Sequence, residues 1–169
     1  MAEFDVFFKA QAQPVWNYLR RLIGDPERSA DLFQRVFLKA WTHFERRSPG
    51  SERAWIFTIA VNEARDEMRR RKRELVRPVA PEDLRGVAGP SGALAPEDRE
   101  LVREVMRGVE ELPPHQRELF LLVRYHGFTF AEAAGLAGVG LSAAKMAVSR
   151  AHEKLVRVLA GRLHLGSML

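Results

Sequence analysis

The stretch from Thr129 to Leu155 carries the residues best placed to touch a ligand. Thr129-x-x-Glu132 is a capping box that opens a short helix. Gly138-Val139-Gly140 interrupts it, and a longer helix starts near Ser142. These are the parts of a helix-turn-helix, in which the N-terminal half of the second helix enters a major groove. Ala144, Val148, Ala151 and Leu155 form the inward stripe, which leaves Ser142, Lys145, Met146, Ser149 and Arg150 outward. Hydroxyl, ammonium and guanidinium donors on one helix face suit base edges and phosphates. A plain helical hairpin with a solvated polar face has the same pattern.

Two further groups point to binding rather than catalysis. Trp55, Phe57, Thr58 and Asn62 follow a Pro49-Gly50 loop, and their helix ends in Arg69-Arg70-Arg71-Lys72-Arg73. Unstacked bases take aromatic faces and amide hydrogen bonds. A cationic run neutralises phosphates, although it also suits any helix C-terminus. Trp55 reads as a core residue more readily than as a stacking platform, whereas an amide such as Asn62 has no propensity reason to sit inside an amphipathic helix. In the second group, Asp31, Gln34, Arg35, Leu38 and Trp41 lie partly outward of the stripe Phe33, Val36, Phe37, Ala40 and Phe44. Exposed Leu and Trp beside polar groups suggest a protein-binding face, unless both merely widen the core stripe. The five histidines are scattered with no metal-ligand spacing, and no nucleophile motif or glycine-rich phosphate loop occurs. Neither a catalytic residue nor a metal or other cofactor is expected. Most carboxylates lie three or four residues from an Arg, which predicts pairing along helix surfaces.

The elements that must hold these groups read as helices throughout. Phe4, Phe8, Val15, Tyr18, Leu19 and Leu22 share a face, and Gly24 stops that helix. Asp25-Pro26 caps and starts the next, Ser48-Pro49-Gly50-Ser51 breaks it, and Trp55, Ile56, Ile59, Ala60, Ala64 and Met68 face inward on a third. Leu101, Val105, Val109 and Leu112 mark a short helix, and Pro113-Pro114 separates it from an apolar buried helix over Glu118 to Tyr125. No strand alternation appears. Among 169 residues, 46% are apolar and 29% charged, the composition of a folded chain. The net charge is +5, from 22 Arg and five Lys against 22 acids. Residues 46–77 hold ten bases against five acids, whereas 78–98 hold one base against four acids and are rich in Pro and Gly. The expected organisation is therefore all-α: two small helical domains, 1–77 and 99–169, joined by a flexible linker, 78–98. The chain has no cysteine, hence no disulfide or thiolate site. No apolar run approaches the ~20 residues that span a bilayer, and acids at Glu3 and Asp5 argue against a signal peptide. A cytoplasmic protein is expected.

Four stretches in order resemble the extracytoplasmic-function sigma factors of bacterial RNA polymerase, of the sigma-70 family. Ala30-Asp31-Leu32-Phe33-Gln34 through Ala40-Trp41 is similar to the family's second conserved helix. Arg53-Ala54-Trp55-Ile56-Phe57-Thr58-Ile59-Ala60-Val61-Asn62, with Asp66 and Arg69-Arg70, is similar to its promoter-melting helix. Glu111-Leu112-Pro113 opens a stretch like the C-terminal domain, and Gly127-Phe128-Thr129 through Lys154-Leu155 resembles its helix-turn-helix. The resemblance implies that Asp31, Gln34, Arg35, Leu38 and Trp41 bind core RNA polymerase. It assigns Arg46, Arg47, Arg53, Trp55, Thr58, Asn62, Arg65, Arg69 and Arg70 to the minus-ten element of promoter DNA. Ser142, Lys145, Met146, Ser149 and Arg150 would read the minus-thirty-five duplex. It further implies no enzymatic activity alone, no small-molecule substrate, and an anti-sigma factor as partner, often one in the membrane. Arg35, Val61, Gly140, Ala143 and Ala147 depart from the family pattern, which more often has Glu, a cation, Pro, Thr and Arg there. The rival reading is a dimeric helix-turn-helix repressor on a palindromic operator.

Overall fold

The computed structural model describes residues 2–47, 50–74 and 96–166, without the side chains of 96–98 and 162–166. All regular elements among them are helical. Helix α1 (Ala2–Ile23) is followed by α2 (Pro26–His43), a 3-10 turn over Phe44–Arg46, and α3 (Glu52–Glu74). The second group comprises α4 (Pro96–Glu110), α5 (Pro114–Phe120), a π turn over Leu121–Tyr125, α6 (Phe130–Ala137) and α7 (Leu141–Gly166). The predicted linker falls mostly outside the described residues, and from Pro96 the chain is already helical.

Local chemistry fixes the boundaries. Gly24 at φ 83° turns the chain after α1. The Asp25 carboxylate then accepts from Arg28 N at 3.0 Å, with Pro26 in the first turn of α2. Ser51 Oγ caps α3 by accepting from Ala54 N at 3.3 Å. Both arms of the Thr129–Glu132 capping box form, at 2.7 and 3.1 Å. Gly138 ends α6 in the left-handed region, φ 64°, and Val139 N donates to Ala134 O at 3.0 Å in a Schellman arrangement.

Helices α1, α2 and α3 pack mutually around Val15, Tyr18, Leu22, Leu32, Val36 and Ile56, all essentially inaccessible to water. Phe7, rather than the predicted Phe8, is the aromatic of α1 that this core swallows; Phe8 stays partly exposed against Phe33 and Phe37. Small residues let α6 and α7 cross closely, and Ala133, Ala134, Ala137, Ala144 and Ala151 are all buried.

The two groups do not stay apart. Helix α3 packs on α6, and α1 packs on α4 and α5. One apolar cluster runs through both, with Phe57 of α3 5.0 Å from the Phe128 ring and Tyr18 of α1 5.7 Å from the His126 ring.

The left-handed turn at Gly138 has no equivalent for a side-chain residue, although a Cβ there would meet nothing closer than 3.5 Å. Gly138→Ala is therefore expected to cost about 1–2 kcal/mol through backbone strain alone, read as a lower urea midpoint with unchanged helical circular dichroism.

Candidate nucleic-acid interface

The helix-turn-helix presents the expected face. Ser142, Lys145, Met146, Ser149 and Arg150 are all exposed, and Met146 keeps 53% of its surface in water. Behind them Ala144, Ala147, Val148 and Ala151 are buried. Ala147, where the family pattern more often has Arg, thus faces the packed side of α7, while Ala143 is exposed.

Helix α3 divides its predicted contacts. Thr58 and Asn62 are exposed one turn apart, and Thr58 Oγ1 donates back to Ala54 O at 2.9 Å. Arg46, Arg69 and Arg70 are also exposed; Arg69 lies 3.5 Å from Asp66, and Arg70 lies 2.8 Å from Glu67. Trp55 is half-buried, its ring 5.7 Å from Phe7 and 6.3 Å from Phe44, which makes it a core residue first. Arg47 stacks on Phe44 at 3.8 Å and donates to its carbonyl at 3.0 Å.

Two predicted contacts lie instead between the helical groups. Arg65 makes a bidentate pair with Glu118, at 3.0 and 3.3 Å, and also donates to Ala137 O. Arg53 donates to His126 O and sits 4.7 Å over the Phe128 ring. From the other side, Arg21 reaches Tyr125 Oη at 3.1 Å, and Arg117 donates to Leu22 O at 2.9 Å. Glu118, Tyr125, His126 and Arg117 are the partners that sequence reasoning missed. One signal was available: Glu118 heads a segment read as buried, and a carboxylate there needs a cation.

The protein-binding face on α2 survives as a surface. Asp31, Gln34, Arg35 and Leu38 line a groove that Glu67 and Arg70 of α3 close. Leu38 is 67% exposed and Trp41 49%, so neither merely widens the core; Trp41 meets Phe4 edge-on at 4.7 Å. Beneath the groove, Glu63 and Glu67 are buried. Arg35 reaches both, at 3.5 and 3.3 Å, while Lys39 pairs with Glu63 and Arg28 with Glu67 at 3.2 Å. The expectation of pairing along single helices therefore fails for Glu63 and Glu118, which are bridged between helices because both are buried; Glu67 combines both modes.

Burial sets the electrostatics. Desolvation pushes the Glu118 carboxyl up, against the pull of Arg65. Burial also opposes ionisation of Glu67, but hydrogen bonds from Arg70, Arg35 and Arg28 outweigh it and hold that group below its ordinary value. Burial, aided by the Arg53 and Arg21 charges, pushes the His126 imidazole down from 6.5 to about 3. Among the described residues no group of side chains could hold a metal ion, and no helix is long and apolar enough to cross a membrane.

The sequence itself matches known families in both halves. The Sigma-70 region 2 model matches residues 7–74, and the Sigma-70 region 4 model matches residues 102–155. The chain is 33% identical over 165 residues to the RNA polymerase sigma factor CarQ of Myxococcus xanthus, covering 96% of this chain and 91% of that one. It is 34% identical over 141 residues to the ECF RNA polymerase sigma factor EcfG of Rhodopseudomonas palustris (strain TIE-1), covering 82% and 75%. Among solved structures it is similar to the sigma factor RpoE, determined in complex with the anti-sigma factor NepR from Bartonella quintana. That match has a TM-score of 0.80 at 26% identity and covers 95% of this chain and 98% of the other.

The pKa of His126 has a stability consequence. An unfolded chain protonates this imidazole below about 6.5, whereas the fold resists until about 3. Stability is therefore complete above the unfolded value and is lost as pH falls toward the folded one. Glu118 has the opposite sign, since the fold favours its protonated form, and Glu67 contributes only below the ordinary carboxylate range. Between pH 7 and 5 the urea midpoint should fall, and His126→Phe, which keeps the ring packing and the carbonyl, should flatten that slope.

Proposed function

Because the chain belongs to the extracytoplasmic-function (ECF) sigma factors of the sigma-70 family, we propose that its three exposed faces divide promoter recognition and polymerase binding among them. As a sigma factor it is a non-enzymatic subunit of RNA polymerase and directs promoter-specific transcription initiation. The dimeric repressor reading falls with that membership.

The observation that carries the division is the outward face of α7. Five polar or apolar side chains of base-reading size stand exposed on one helix, backed by buried alanines. In this reading Ser142, Lys145, Met146, Ser149 and Arg150 recognise the minus-thirty-five duplex. Thr58 and Asn62, with the 46–53 loop and Arg69 and Arg70, capture the minus-ten strand; Arg53 and Arg65 join them once free of their internal partners. The groove and apolar rim of α2, namely Asp31, Gln34, Arg35, Leu38 and Trp41, dock on the clamp helices of the polymerase's largest subunit. Residues 1–77 and 99–169 act as the two functional domains, and 78–98 threads between them toward the active-site and RNA-exit channels. The protein works in the cytoplasm, and an anti-sigma factor restrains it; the support for that partner is the similarity to a sigma factor solved with one.

Reconstituted holoenzyme on duplex and pre-melted bubble templates tests the division. A base-edge contact is worth about 1–3 kcal/mol of discrimination, so Arg150→Ala should lower closed-complex formation about tenfold and alter preference only in the upstream element. Asn62→Ala should spare duplex binding and impair strand opening, with the bubble template recovering part of the loss. Equal defects of Asn62→Ala on both templates, with no effect of Arg150→Ala, would reverse the assignment. Separately, Asp31→Ala with Gln34→Ala should weaken binding to core polymerase while leaving helical content unchanged, measured by fluorescence titration.

A further inference from the structure

Arg65 is saturated. Its Nε and Nη2 hold the Glu118 carboxylate at 3.0 and 3.3 Å, and Nη2 also donates to the carbonyl of Ala137, the last residue of α6. Its Nη1 lies only 3.5 Å from where a Gly138 Cβ would stand. One turn of chain away from Phe57, Arg53 donates to the His126 carbonyl, at the end of the π turn. In both cases a guanidinium from the first helical group is enclosed by oxygens of the second. A carboxylate and two helix-end carbonyls offer the anionic geometry that a guanidinium otherwise finds in a phosphate.

From this arrangement we propose that Glu118 is an internal stand-in for a DNA phosphate: by holding Arg65 it latches the two domains closed and excludes nucleic acid from Arg65 and Arg53. This rests on the reading of those arginines as promoter contacts. The Glu118 side chain is 3% exposed and the Arg65 side chain 23%, so a phosphate reaches Arg65 only when the domains part. Separation hydrates both charges together, and neither is left buried alone. The two states are therefore closed with Arg65 on Glu118, and open with Arg65 on DNA. A closed population of about 90% or more lowers apparent affinity about tenfold or more.

The test uses the full chain and a fluorescein-labelled single-stranded DNA of random sequence. Glu118→Gln should enlarge the radius of gyration in small-angle X-ray scattering and tighten DNA binding about tenfold. Adding Arg65→Gln to Glu118→Gln should abolish the tightening, which separates release of Arg65 from mere loss of a negative charge. Helical circular dichroism checks that the variants fold. If Glu118→Gln does not, Arg21→Gln opens the same interface from its edge by breaking the contact with Tyr125. That change removes a cation, so any tightening it produces cannot come from net charge. An unchanged radius in the folded variant would overturn the latch. Expansion with no gain in DNA binding would overturn the competition and remove Arg65 from the promoter site, while the closure stood. A gain that persists without Arg65 would likewise overturn the phosphate role of Glu118.

Discussion

A carboxylate removed from water requires a cation within hydrogen-bond reach, and that requirement organises the structure around α3. Glu63 and Glu67 are buried against α2 and draw in Lys39, Arg35, Arg28 and Arg70. Glu118 is buried in α5 and draws in Arg65 from α3. The same helix thus supplies acids to one neighbour and a base to another, so its azimuth is set from both sides. With that azimuth fixed, Thr58 and Asn62 come to the outer surface and Phe57 goes inward against Tyr18 and Phe128. Arg35 is intelligible on the same ground. Where the family pattern more often has Glu, this chain has a cation that spans the two buried carboxylates of α3. A Glu there would add a third acid to a site that already needs bases.

The helices were legible because their signals are local. Asp25-Pro26, the Thr129–Glu132 box and Gly138 each specify a boundary with two or three residues, and all three form as read. The outward face of α7 was legible for a related reason: its inward stripe is made of alanines and other apolar residues at helical spacing, so the remainder had to point out. The α2 groove followed from the same subtraction. The meeting of the two helical groups was not legible. It depends on pairs such as Arg65 with Glu118, 53 positions apart, and no periodicity encodes which distant acid an Arg will find. Phe57 looked like a base-stacking candidate because its ring is aromatic, yet its surroundings are Tyr18, His126 and Phe128.

The arginine bias has a second meaning in the structure. Read alone, 22 Arg against five Lys suggests phosphate. Many of these side chains instead close helix ends. Arg20 donates to Gly24 O, Arg71 to Ile23 O at 3.4 Å, and Arg117 to Leu22 O at 2.9 Å and Leu112 O at 3.0 Å. A planar fork of donors can satisfy two terminal carbonyls at once, which an ammonium does less well. In a bundle of short helices, carbonyl ends are numerous, and Arg meets that demand without spending a residue on a dedicated cap.

The π turn at Leu121–Tyr125 carries a consequence for how such chains diverge. His126 N bonds Leu121 O at 2.9 Å across the wider ring, so this turn holds one residue more than an α-helical path would. That extra residue sets the phase of everything after it. Deleting one position here would let α5 continue in ordinary α geometry and would rotate Tyr125, His126 and the start of α6 by about 100°, away from Tyr18 and Arg53. The segment is thus a register lock on inheritance: substitutions within it can be absorbed by packing, but a single-codon deletion would reorient the whole helix-turn-helix against the first three helices.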